Sequence, residues 1–268
     1  MRLHHRFYVL ALFATAVSLS AALTSCATIG GANYVSLEEE WQLGRELEAD
    51  LNQRLNLVND ASLQRYVEQV GQQIVRQTNM ANLPWRFHVV ADDQINAFNI
   101  PGGVVYVNTG LIAEAGSASE FVGVLAHEVA HGVARHGTQR MSQAYEANLL
   151  AGLLLGGNPG LVEQLATQVV ATGAFAKFSR ADEREADRLG VAFMARAGWN
   201  PEGLAQMLER LLAEQRGGGS SVGQFFSSHP TTQERVQNVR AQARQVGGRG
   251  LRTNDGSFAS MRSRAQRY

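Results

Sequence analysis

The stretch LAHEVAHGVARHG, residues 125–137, places three histidines and a glutamate within ten positions. His127 and His131 are four apart, so on a helix they stand one above the other on one face. Glu128 lies one step round, within reach of a water beside any metal those imidazoles hold. This H-E-x-x-H order pairs two metal ligands with a glutamate able to act as general base. The flanking sequence predicts a helix over 118–136. Ser117 and Glu120 read as a capping box, an apolar run from Phe121 to Leu125 follows, and Gly137 supplies a stop. Gly123 and Gly132 weaken that helix unless they mark close packing. His136 is nine residues beyond His127, half a revolution away at about 3.6 residues per turn, so on an unbroken helix it cannot join the same metal. The competing reading is a buried helix with incidental histidines.

A catalytic zinc typically takes three protein ligands and leaves one position open. A third histidine in the pattern H-E-x-x-H-x-x-G-x-x-H is excluded, because Ala134 and Gly137 stand where that pattern needs Gly and His. The other option is a glutamate on a later helix, and FSRADEREADRLGVAFMARAGWNP, residues 178–201, offers one. Ser179 and Asp182 cap it, Gly198 ends it and Pro201 prevents continuation. Glu183 and Asp187 share a face beside an apolar stripe of Ala186, Leu189, Gly190, Phe193 and Met194. Carboxylates facing inward are costly without a cation or donors. Glu183 as metal ligand, with Asp187 accepting from the far nitrogen of a ligating histidine, meets that need. A solvated charge run accounts for the same spacing equally well. Glu185 points away from Glu183, towards solvent.

In combination, HEVAHGVARH (127–136), SRADEREAD (179–187), SSHPTTQERV (227–236) and NAFNIPGGVVYVNTGLI (96–112) resemble a known family. It is the gluzincin metallopeptidases of the CAAX prenyl protease and HtpX kind, above all the soluble periplasmic branch typified by BepA and LoiP. The resemblance spans residues 37–240. It implies an α+β, mainly α, zincin-type metallopeptidase domain with a small β-sheet whose edge strand lines the active-site cleft. It implies Glu183 as third zinc ligand, one Zn2+ per chain, and Arg235 orienting the His229 segment by pairing with a carboxylate. It also implies that substrate lies along Gly102–Val107, that is on Gly102, Gly103, Val104, Val105 and Tyr106. The residues themselves read there as a turn, Asn96–Phe98 with Pro101–Gly103, feeding an unpaired edge strand to which an extended peptide can add.

The first 25 residues have a basic start at Arg2 and Arg6 and an apolar run from Phe7 to Leu23, the shape of an export signal. Leu23-Thr24-Ser25-Cys26 resembles a bacterial lipobox, which implies lipidation of Cys26 and a tether over 26–36. Ala27 in place of an aspartate points to the periplasmic face of the outer membrane. Cys26 is the only cysteine, so no intrachain disulfide can form. With 24 basic and 24 acidic residues the net charge is zero, leaving no global field to attract nucleic acid.

The peptidase domain is expected over 37–245. It starts with a helix capped by Ser36 and Glu39 and a second helix over 61–77, followed by strands over 85–93 and 103–109. His88, on the first of these strands, reads as structural. An apolar helical hairpin over 144–176 holds no run long enough to span a bilayer. The Arg-, Gly- and Ser-rich tail over 246–268 reads as disordered. His229 ends a flexible approach rich in Gly and Ser, and has two candidate roles. It can donate to the tetrahedral oxyanion, or occupy the open metal position until substrate displaces it, and the second is favoured. The functional expectation is a zinc-dependent endopeptidase degrading unfolded or misassembled envelope proteins, membrane-bound through its anchor and in possible contact with outer-membrane assembly machinery. The alternatives are an assembly chaperone with restrained proteolysis and a purely structural zinc domain.

Overall fold

Capping and patterning set the first elements of the fold. The computed structural model describes residues 33–143, 161–172 and 175–268, with no side chains for 161–166. The expected signal segment, Cys26, the tether up to residue 32 and the first half of the apolar hairpin lie outside these residues. Helix α1 (Leu37–Arg54) opens with the expected capping box: the Glu39 N–H donates to Ser36 Oγ, and the Ser36 N–H to Glu39 Oε2. Helix α2 (Ala61–Val75) is capped by Asp60, whose carboxylate accepts from the Ser62 and Leu63 N–H groups.

Three strands follow: β1 (Arg86–Val90), β2 (Ala97–Ile100) and β3 (Val104–Asn108), in the order β1-β3-β2. β3 runs parallel to β1 and antiparallel to β2. Side chains of β3 alternate between two apolar layers, as the period of a strand requires. Val105 and Val107 face a core built with α2 and the later helices, whereas Val104 and Tyr106 face a smaller core with Leu47 and Leu51 of α1. The expectation of an unpaired edge at Gly102–Tyr106 is therefore corrected, since β3 is the central strand. All five of its residues are buried, the mark of a strand covered on both faces. The Asn-containing segment read as a turn instead forms β2, one of the two edge strands. Gly102 and Gly103, at φ 82° and 71°, make the β2–β3 turn.

Helix α3 (Thr109–Glu114) leads into α4 (Ala118–Val133), where Ser117 accepts from the Glu120 N–H as expected. α4 is the buried axis of the domain, packed against β2, α2, α7 (Arg180–Arg196) and α8 (Glu202–Arg216). Its glycines do mark close contact: a Cβ on Gly123 would lie 2.7 Å from the Leu204 Cα of α8. Gly137 is not its stop. The helix ends at Val133, Arg135 takes φ 58°, and a new helix, α5 (136–143), begins. Helix α6 (Leu161–Thr172), within the segment read as a hairpin, covers the smaller core through Val169. Helices α9 (Gly223–Ser228) and α10 (Gln233–Val246) complete the domain beside α7 and α8.

The tail differs from expectation. Residues 247–268 return to the domain and end in α11 (Phe258–Ala265), with Phe258 buried in the larger core beside Tyr66 and Phe121. Composition concealed this, because one large aromatic and a few backbone contacts hold the segment. The Thr253 carbonyl accepts from the Ser119 N–H, and the Asn254 side chain from the Ala118 N–H, so the tail helps cap α4. Arg264 pairs with Asp60 at 2.8 Å.

Candidate metal centre

The i, i+4 spacing on α4 brings His127 and His131 to one face, with ring centroids 4.6 Å apart. α7 crosses α4 there, its close approach permitted by Gly190, and aims Glu183 at the pair. Glu183 Oε2 lies 3.5 Å from His127 Nε2 and Oε1 lies 3.3 Å from His131 Nε2. His229, at the end of α9, brings Nδ1 to 3.0 Å from Glu183 Oε1 and 3.3 Å from His127 Nε2. One donor atom from each of His127, His131, Glu183 and His229 thus lies within 4.8 Å of the other three, and all four residues are buried.

The remaining expected residues also converge. Asp187, one turn beyond Glu183, places Oδ1 3.0 Å from His127 Nδ1. Arg235 of α10 grips Asp187 through Nε at 2.7 Å and Nη2 at 2.8 Å, and Nη1 contacts Glu183 Oε2. Glu128 is held by the Asn99 N–H of β2, which donates to Oε2 at 3.1 Å. Its Oε1 is buried without a hydrogen-bond partner among the described residues, 3.4 Å from His229 Nε2. Glu185 faces solvent. His88 stays away from the site and pairs with Glu48 at 2.7 Å, as a structural residue. Gly102–Tyr106 bear on the site only through the strand they support.

The electrostatics fit a divalent cation. Three buried carboxyl groups, Glu128, Glu183 and Asp187, meet one buried guanidinium, Arg235, so acidic groups outnumber the permanent cation. Burial alone would lower the pKa of His127, but its hydrogen bonds to Asp187 and Glu183 outweigh that and raise it to about 9. The carboxylates thus demand positive charge where a metal would sit. Burial pushes His131 well below the usual histidine range and Glu128 above the usual carboxylate range. Burial also opposes ionisation of Glu183, but His229 and Arg235 outweigh it and hold Glu183 well below that range. Nitrogen and carboxylate donors of this kind suit zinc.

Several contacts had no usable signal in the sequence. Phe178 stacks on His131 at 3.9 Å between centroids, and Phe225 on His229 at 5.0 Å. His136 reaches His131, with their Nδ1 atoms 2.9 Å apart, because the helix breaks before it. Asn99 acts through its backbone, which no side-chain motif reveals.

A helix bearing H-E-x-x-H, a glutamate from a second helix and a small sheet beside them define a zincin-type metallopeptidase domain. Residues 61–243 match the profile of Peptidase family M48, and the chain belongs to that family. The beta-barrel assembly-enhancing protease of Escherichia coli (strain K12) is 28% identical over 225 residues, 79% of this chain and 45% of its own length. That of Yersinia pestis is 28% identical over 233 residues, 84% of this chain and 48% of its own. The mitochondrial metalloendopeptidase OMA1 of Schizosaccharomyces pombe is 32% identical over 174 residues, 65% of this chain and 51% of its own. The chain thus spans about half the length of the curated relatives it matches.

The burial of Glu183 and exposure of Glu185 yield a direct comparison. Glu183→Ala and His131→Ala are expected to lose bound zinc, and Glu185→Ala to retain it, as read by metal analysis of the purified variants. Retention by Glu183→Ala would remove that residue from the centre.

Proposed function

We propose that this protein is a zinc-dependent endopeptidase of the cell envelope that cleaves unfolded or misassembled membrane proteins. The observation that carries the proposal is Glu128, whose one oxygen is tied to the β2 backbone and whose other makes no hydrogen bond among the described residues and is turned towards the histidine–glutamate cluster, 3.4 Å from His229 Nε2. A purely structural site has no use for such a group. His127, His131 and Glu183 would hold the metal, which when bound supplies Lewis acidity to the scissile carbonyl and to the attacking water. Glu128 Oε1 accepts the proton of that water and passes it to the leaving amine. Asp187, braced by Arg235, orients His127 from behind.

The substrate backbone lies along β2 rather than β3. Asn96 O and Asn108 N are hydrogen-bonded at 3.0 Å, so alternate residues Ala97 and Asn99 turn their backbone groups outwards, towards Glu128. A peptide added at that edge is recognised through main-chain bonds, which suits unfolded clients of varied sequence. The relatives named for β-barrel assembly support outer-membrane proteins as those clients and assembly machinery as the setting. Cys26 supplies a lipid anchor on the periplasmic face of the outer membrane. Among the described residues no helix is long and apolar enough to cross a membrane.

His229 keeps the enzyme resting. Its Nδ1 lies among the candidate ligand atoms and its ring is stacked against Phe225, so it would serve as a further metal ligand until substrate displaces it.

Three outcomes test this reading. Glu128→Gln keeps zinc and fold but cleaves unfolded casein about a hundred- to ten-thousand-fold more slowly than wild type. Cleavage at the wild-type rate would exclude Glu128 as the base, and survival of client maturation in cells carrying it would favour an assembly chaperone. His229→Ala raises the basal casein rate, whereas a fall would assign the side chain to the transition state instead. Cys26→Ala shifts the protein out of the outer-membrane fraction, and unchanged sedimentation would place the anchor elsewhere.

A further inference from the structure

The two α4 histidines that face Glu183 differ in what stands behind them. His127 Nδ1 meets a carboxylate, Asp187, at 3.0 Å. Behind His131 the described residues place no carboxylate: its Nδ1 lies 2.9 Å from Nδ1 of His136, whose Nε2 lies 3.5 Å from Glu185 Oε2. On a straight helix residues five apart are separated by about 140°, so this contact exists only because α4 breaks. Arg135 holds the break in left-handed backbone, a conformation sparsely populated by residues with a Cβ. Its guanidinium donates to Glu40 Oε2 and to the Val35 carbonyl, each at 2.6 Å, and so ties the turn to the start of α1. The chain then carries His136 back against the end of α4, where it is buried.

We propose that His136 is a positioning residue that fixes the tautomer and ring orientation of His131 by accepting its Nδ1–H. The proposal rests on the reading of His131 as a metal ligand. Two ring nitrogens at hydrogen-bond distance hold one proton between them, and two protons or none would repel. His131 Nε2 lies among the donor atoms and must offer a lone pair, so the shared proton belongs to His131 Nδ1. His136 then accepts at Nδ1 and carries its own proton on Nε2, turned towards Glu185. Phe178 stacks on the His131 ring, so the aromatic contact and the hydrogen bond together leave one ring orientation. An imidazole suits this place better than a carboxylate. The site already buries Glu128, Glu183 and Asp187, and a neutral acceptor orients the ligand without adding a fourth negative charge.

The test uses the full chain stripped of metal and titrated with Zn2+ against a chromophoric chelator. His136→Leu keeps bulk but no acceptor, and His136→Asn places an amide oxygen near the position of Nδ1. His136→Leu is expected to weaken zinc binding about 10- to 100-fold, and His136→Asn to stay within about threefold of wild type. Wild-type affinity in His136→Leu overturns the proposal. So do equal losses in both variants, because volume and not the acceptor would then be responsible. Nitrogen-15 histidine spectra of the zinc-loaded wild type decide the matter should His136→Leu fail to fold. The proton is expected on Nδ1 of His131 and on Nε2 of His136, and a proton on Nδ1 of His136 overturns the assignment. Wild-type protein that takes up no zinc overturns the metal reading, and this proposal with it.

Discussion

The packing of α7 onto α4 drives three carboxylates and three histidines into an interior that excludes water, and the rest of the site answers that burden. Burying an ion costs several kcal/mol even after relaxation, so each carboxylate needs a compensating partner. Arg235 compensates Asp187 through a bidentate grip, and the converging nitrogens and Glu183 oxygens form a group that could hold a compensating cation. The apolar surroundings make this electrostatic requirement strict. In water the same groups would interact weakly and could point anywhere.

The sheet serves this centre as well as both apolar cores. Its edge strand β2 lies directly against α4, so one backbone N–H of the strand fixes one oxygen of Glu128. The strand proposed to receive a peptide and the residue proposed to move the proton are thereby linked through a hydrogen bond. The opposite wall is formed by α9 and the Phe178 segment, which close over the histidines with stacked aromatic rings. The centre is enclosed, with His127, His131, Glu183 and His229 all at 1% exposure or less.

Helix α4 is held from both ends by distant parts of the chain. The tail caps its first turn through Thr253 and Asn254, and the start of α1 clamps its end through Arg135. Both contacts bridge more than ninety residues of sequence, so the metal-facing helix depends on the two ends of the described chain.

Much of the centre was legible in the sequence because helical spacing fixes which side chains share a face. The positions of His127, Glu128 and His131, the facing of Glu183 with Asp187, and the caps at Ser36, Ser117 and Ser179 all follow from local periodicity and hydrogen-bond chemistry. Tertiary structure decided what local rules do not reach. β3 became the central strand because it pairs with β1 on one side and β2 on the other, and β2 became an edge strand although its asparagines read as a turn. The tail folded back because one buried phenylalanine and a few backbone acceptors found partners far away in sequence. His136 reached His131 because Arg135 holds a left-handed backbone conformation, supported by its contacts to Glu40 and Val35. Spacing along a chain determines faces; contacts between distant segments determine where a helix stops, and here that stop completes the surroundings of the site.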